Sequence, residues 1–195
     1  MAVTTFNNPG KTVIRPTQLA HVVLKTNAEN YKEMVQYYKI FLNAEASYEN
    51  DFLSFLTYDD EHHRLAVGIF PGTGKRVPES AGLAHIAFTF DSLHDLALAY
   101  RQRKANGILP FWSVNHGPTT SIYYRDPDGN EIETQVDNFD NNDDANEFMQ
   151  SKAFSENPIG VDFDPEDLIK RLEAGEDEKS LMKRPEGGKR LDIPF

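Results

Sequence analysis

The sequence predicts an α+β fold: two tandem βαβββ modules forming a mixed sheet, followed by an acidic C-terminal tail with short helices. Three observations predict it. The string Gln18-Leu19-Ala20-His21-Val22 returns 64 residues later as Gly82-Leu83-Ala84-His85-Ile86. Each copy opens the same order of elements, strand, helix and three strands, and repetition at a fixed interval is a fold-level signal. The second copy closes on Ser121–Gln135, where Asp126-Pro127-Asp128-Gly129-Asn130 separates two strand-like runs. Proline presets one φ there and Gly or Asn accepts a positive one, so a tight turn is expected.

In order, residues 1–16 read as an irregular extension. Thr17–Lys25 is a β-branched run and reads as a strand. Asn27 to Asn30 offer N-caps, and Met34, Val35, Tyr38 and Phe41 recur at helical spacing, predicting a helix over Tyr31–Leu42. Strands are expected at Glu45–Tyr48, Phe52–Tyr58 and Arg64–Phe70, closing a first module over 17–71. Pro71–Ala81 is a Gly- and Pro-containing linker. The second module, 82–137, predicts a strand over Gly82–Asp91 and a helix over Leu93–Asn106 capped by Ser92 and ended by Gly107. Strands follow at Leu109–Val114, Thr119–Arg125 and Glu131–Val136. In the tail, 138–195, Asp143 or Asp144 caps a helix running to Phe154, and Asp164-Pro165 opens another to Ala174. Residues 176–195 read as irregular. The tail is expected to pack on the domain or a partner subunit, or to cover an active-site mouth.

The chain carries 31 acidic and 20 basic residues, net −11, which argues against nucleic acid and anionic membrane surfaces as partners. No apolar run approaches the roughly 20 residues of a membrane span. The N-terminus lacks a basic-then-apolar leader pattern. With no cysteine, neither a disulfide framework nor a thiolate ligand is available. A soluble, cytoplasmic protein is expected, and any metal site must use His, Asp or Glu, which favours iron, manganese or catalytic zinc.

Candidate site residues follow from the repeat. His21 and His85 occupy matched positions in the two modules. Glu131, Glu133 and Gln135 share one strand face, and an inward carboxylate is costly unless paired or bound to a cation. Forty-eight residues separate His85 from Glu133; the same offset from His21 lands on Ile69, in a strand without a carboxylate or amide.

The paired modules, the Leu-Ala-His openings and the Asp126–Glu133 ending resemble the vicinal oxygen chelate superfamily over residues 17–137. That superfamily includes glyoxalase I, bleomycin-resistance proteins and type I extradiol dioxygenases. Glu61-His62-His63-Arg64-Leu65-Ala66 and Asn115-His116-Gly117 with Ser121-Ile122-Tyr123 resemble segments of biphenyl-2,3-diol dioxygenases in the extradiol branch.

The resemblance implies a metal-binding cup with His21, His85 and Glu133 holding Fe(II), or alternatively Mn(II). It implies acid–base roles for His63 and His116 and a substrate hydrogen bond from Tyr123. Trp112 and Phe111 would contact the substrate. The implied reaction opens the ring of a small aromatic diol with O2, in a homodimer or higher homo-oligomer. Glyoxalase-like members would use a fourth protein ligand, which the first module does not offer. The alternatives are another metal-dependent enzyme of this superfamily, or a non-catalytic binding protein of the bleomycin-resistance type.

Overall fold

The two modules fold into separate sheets with the same strand order. The structure is a computed structural model that describes residues 5–7 and 10–192. The first module comprises β1 (Val22–Thr26), α1 (Tyr31–Leu42), β2 (Glu45–Glu49), β3 (Leu53–Thr57) and β4 (Leu65–Ile69). The second comprises β5 (His85–Thr89), α2 (Leu93–Ala105), β6 (Trp112–Asn115), β7 (Thr119–Arg125) and β8 (Glu131–Asp137). The sheet orders are β1-β4-β3-β2 and β5-β8-β7-β6. In each module the first strand runs parallel to the last, and the other pairs are antiparallel.

The helices sit where the periodicity places them, but the opening strands are shorter than expected. β1 is an edge strand whose ladder begins with the Val22 amide donating to the Arg64 carbonyl (3.0 Å). Among the described residues, 17–21 meet no facing strand, so His21 stands just ahead of β1. The expected 82–91 strand likewise shortens to β5, which begins at His85.

One core joins both modules and part of the tail. It includes Met34, Tyr38 and Phe41 of α1, Leu93 and Leu96 of α2, and Leu168, Ile169 and Leu181 beyond the modules. Two polar ties set α1 against the second module. Arg103 is only 4% exposed and donates through Nε (3.1 Å) and Nη2 (2.8 Å) to the Phe41 carbonyl. Its guanidinium lies 4.0 Å above the Phe41 ring, so a terminal helix carbonyl and a buried cation satisfy one another.

The second tie is the turn between β7 and β8. Asp126 Oδ1 accepts from the Asp128 and Asn130 amides (3.0 and 2.8 Å), and Oδ2 from Asn130 Nδ2 (2.8 Å) and the Tyr38 hydroxyl (2.9 Å). Burial pushes this carboxyl up from the ordinary aspartate range, against the pull of its donors. The turn residues thus also anchor α1.

The tail departs from the expected pattern. The helix expected to run through Phe154 divides into α3 (Asn142–Met149) and α4 (Lys152–Glu156). Ser151 interrupts it by accepting from the Phe154 amide (3.2 Å), and the first cap is Asn141 rather than Asp143 or Asp144. A two-residue strand, β9 (Val161–Asp162), joins the free edge of β6. The Asp164–Pro165 start is as expected and opens α5 (Pro165–Glu173). Residues expected to be irregular contain α6 (Glu178–Met182), capped by Asp177 and secured by burial of Leu181. Among the described residues no helix is long and apolar enough to cross a membrane.

Tyr38→Phe removes one of four donors to a buried carboxylate while keeping the ring. It should lower stability by about 1–3 kcal/mol in urea unfolding, with an unchanged far-UV circular dichroism spectrum. Unchanged stability would show that the tie between α1 and the turn carries no net energy.

Candidate active site

The second sheet gathers a carboxylate, two imidazoles and a phenol around one point. Glu133 lies on β8, only 5% exposed. The parallel β5–β8 register sets Ala87 beside Glu133 and His85 beside Glu131. His85 and Glu133 are therefore displaced by two residues along adjacent strands, on one face. His85 Nε2 stands 3.0 Å from Glu133 Oε2. The other imidazole nitrogen, Nδ1, is buried with no hydrogen-bond partner among the described residues.

The electrostatics follow from this pairing. The hydrogen bond to Glu133 raises His85 above the ordinary histidine value, against desolvation. Burial alone would raise Glu133, but hydrogen bonds from His85, Ser121 and Tyr123 outweigh it and hold the carboxyl below its ordinary range. Burial and the adjacent carboxylate push the Tyr123 phenol far above its usual value, so it remains a proton donor.

His116, just after β6, completes the group. Its Nε2 lies 2.9 Å from the Tyr123 hydroxyl and 4.0 Å from Glu133 Oε1. Its Nδ1 lies 2.5 Å from the Ile159 carbonyl oxygen. Desolvation lowers its proton affinity, against the Ile159 carbonyl and Glu133, which favour the charged ring. Trp112 stacks on Tyr123 at 4.8 Å, and Phe111 lies 6.2 Å from Tyr123 beneath the Arg125 guanidinium. Glu131, itself buried, pairs with Arg125 (3.1 Å).

His21 and His63 form a second group. Their ring centroids are 4.4 Å apart, and His63 stacks on Phe55 at 4.5 Å. Burial, reinforced by His21 and His62, lowers the His63 pKa. His21 also lines a cleft with Val22, Ile86 and Ala87, where the two modules face each other. The structure thus brings together His85, Glu133, His116 and Tyr123, with Trp112 and Phe111 alongside. It sets His21 with His63, and among the described residues no three His, Asp or Glu side chains are grouped so as to hold one metal ion.

Strand register also identifies the first module's equivalent of Glu133. Val23 pairs with Ala66 as Ala87 pairs with Glu133. The equivalent is therefore the buried Ala66, three positions before the Ile69 reached by counting. The count fails because the connections within the first module are shorter. The equivalent position is apolar in either case.

Several residues that build this region were not singled out from sequence. The Trp112 indole donates to Asp162 Oδ1 (2.9 Å), which also accepts from Arg190 Nη1 (2.6 Å). Asn157, Ile159, Gly160 and Arg184 surround the far side of His116. The turn-forming string Asn157-Pro158-Ile159-Gly160 was the available signal, but nothing in it indicates which strand edge it meets.

The comparisons with known proteins agree with the fold. Residues 18–134 match the family described as Glyoxalase/Bleomycin resistance protein/Dioxygenase superfamily. Biphenyl-2,3-diol 1,2-dioxygenase 3 of Rhodococcus globerulus is 44% identical over 169 residues, covering 86% of this chain and 88% of the relative. Biphenyl-2,3-diol 1,2-dioxygenase 2 of the same organism is 43% identical over 159 residues, covering 81% and 83%. A crystal structure of a glyoxylase/bleomycin resistance protein/dioxygenase domain from Frankia shares the fold, with a TM-score of 0.52 at 15% identity over 63% of this chain and 93% of that one.

Trp112 is the single tryptophan, so its emission reports on this corner. Partial burial raises Asp162, but Arg190 and Trp112 more than offset it, and its carboxyl sits below the ordinary aspartate range. The tie is therefore present above the unfolded value, near pH 4, and is lost as pH falls through the lower folded value. Asp162→Ala should shift Trp112 emission to longer wavelength at neutral pH. Unaltered emission in a folded variant would show that Asp162 does not hold the indole.

Proposed function

The chain belongs to the Glyoxalase/Bleomycin resistance protein/Dioxygenase superfamily, and on that footing we propose that it is an extradiol dioxygenase. It takes a catechol-type aromatic diol and O2 and opens the ring beside the two hydroxyl-bearing carbons. The observation that carries this reading is the pairing of half-buried His85 with the buried Glu133, flanked by Tyr123 and His116, in a chain whose two curated relatives are both named as dioxygenases of a biphenyl diol. Both alignments are longer than the family match, so the likeness extends into the tail. A glyoxalase-like isomerase using a fourth protein ligand is disfavoured because Ala66 stands where that ligand would be.

The donor chemistry fits a divalent ion. An imidazole nitrogen and a carboxylate oxygen 3.0 Å apart match adjacent ligands of an ion with bonds of about 2.1 Å. In this proposal Fe(II), with Mn(II) as the alternative, would be held by His85 and Glu133, with His21 as the third donor on binding, although the structure sets His21 beside His63 rather than beside this pair. The pair's preference for nitrogen and oxygen ligation suits these ions without thiolates. When bound, the ion would supply Lewis acidity toward the diol and redox chemistry toward O2.

The remaining steps belong to the protein. The Tyr123 hydroxyl hydrogen-bonds a substrate oxygen, and neutral His116 receives and returns a substrate proton through Nε2. His63, whose proton affinity burial lowers, is the further acid–base group of this proposal. Trp112 and Phe111 provide flat apolar surface for an aromatic ring. We also place the enzyme in the cytoplasm, as a homodimer or larger homo-oligomer.

Protein purified and loaded with Fe(II) without oxygen, then given a catechol panel and O2, should consume O2 and form a yellow ring-opened product. His85→Ala and Glu133→Ala should lose metal and activity together. Tyr123→Phe and His116→Gln should bind metal but turn over about 10²- to 10⁴-fold more slowly. Tight Fe(II) binding with no O2 uptake on any catechol would overturn the assignment.

A further inference from the structure

We propose that the tail segment 157–162 is a positioning element of the active site: the Ile159 carbonyl fixes the tautomer and ring plane of His116, so that Nε2 faces Tyr123 as an acceptor. A carbonyl oxygen can only accept, so the His116 nitrogen 2.5 Å from it carries the hydrogen. The neutral ring then has its lone pair on Nε2, 2.9 Å from the Tyr123 hydroxyl. That hydroxyl has one proton and two acceptors within reach, His116 Nε2 and the Glu133 carboxylate. The tail thereby determines that His116 competes for it.

The carbonyl is held from several directions. β9 pairs with β6, setting Val161 beside Asn115, the residue before His116. Asn157 is buried and closes the turn twice: its Oδ1 accepts from the Gly160 amide (2.7 Å) and its Nδ2 donates to the Gly160 carbonyl (3.1 Å). Arg184 donates from Nη1 to the His116 (3.1 Å) and Asn157 (2.7 Å) carbonyls and from Nη2 to the Ala153 carbonyl (3.0 Å), tying histidine and turn to one guanidinium. Gly160 has φ +109°, and a Cβ there would run into the Asn115 carbonyl. The turn therefore approaches the strand closely because position 160 has no side chain. These residues lie outside the span matched by the family, 18–134.

A part that merely stabilises the fold would leave the histidine tautomer alone, so the test reads the tautomer. Long-range ¹H–¹⁵N correlation of ¹⁵N-histidine in the metal-free full chain, with His116 assigned through His116→Gln, should show hydrogen on Nδ1 and an unprotonated Nε2. In Gly160→Ala that pattern should move toward a mixture of both tautomers. Should that variant fail to fold, Arg184→Met is read the same way, and Arg184→Lys should restore part of the wild-type pattern. A wild-type His116 protonated at Nε2 overturns the proposal, as does a folded Gly160→Ala or Arg184→Met with an unshifted pattern.

The consequence for turnover rests on the dioxygenase reading. In the Fe(II)-loaded enzyme a displaced tail should lower kcat about 10-fold and change KM less than about twofold. Because the spectrum is recorded without metal or substrate, loss of the dioxygenase assignment would leave the tautomer result standing, and the reverse.

Discussion

The second module is organised by the need to keep one carboxylate ionised out of water. An unpaired buried carboxylate would neutralise or unfold its surroundings. Glu133 avoids this because parallel pairing of β5 with β8 brings His85 across from the neighbouring strand. Side chains alternate along a strand, so a register slip of one residue would turn Glu133 to the other face and break the pair. Ser121 and Tyr123, two residues apart on β7, complete the donor set from the opposite side. The identity of position 133 and the register of two strand pairs are thus a single constraint.

The same constraint explains what could be read from the sequence. The repeat, the strand order within each module, α1 and the 126–130 turn are local or periodic signals, and all appear as expected. The start of β1 was not legible, because extended residues count as a strand only where a partner meets them. Ala66 was missed by three positions because an offset along the chain counts loop residues, whereas pairing does not. In the tail, Ser151 decided the helix break with a single side-chain hydrogen bond. The local pattern of an Asn-Asp-rich helix start supplies several competing caps, and Asn141 is the one whose geometry closes.

The site residues divide along the same line. His85 and Glu133 lie on paired strands, and their neighbourhood follows from sheet geometry. His21 and His63 precede β1 and β4 in less regular backbone, and they meet each other across that parallel pair. Matched letters identified His21 and His85 as counterparts, yet their surroundings differ. β5 pairs with a strand carrying two glutamates on one face, while β1 pairs with Leu65-Ala66-Val67-Gly68-Ile69. Duplication therefore preserved the scaffold while polar chemistry at the closing strand is confined to one half.

The tail supplies what a short repeat cannot provide by itself. β6 is the far strand of its sheet, and without β9 its outer edge would present unpaired amides and carbonyls. Covering that edge also places backbone beside His116, because β6 ends one residue before it. Edge protection and histidine orientation thus come from the same two-residue strand and its preceding turn. A side chain at position 160 would oppose both, since it would separate the strand from Asn115 and the Ile159 carbonyl from the imidazole. The absence of a Cβ at Gly160 lets one piece of backbone serve the sheet and the site together.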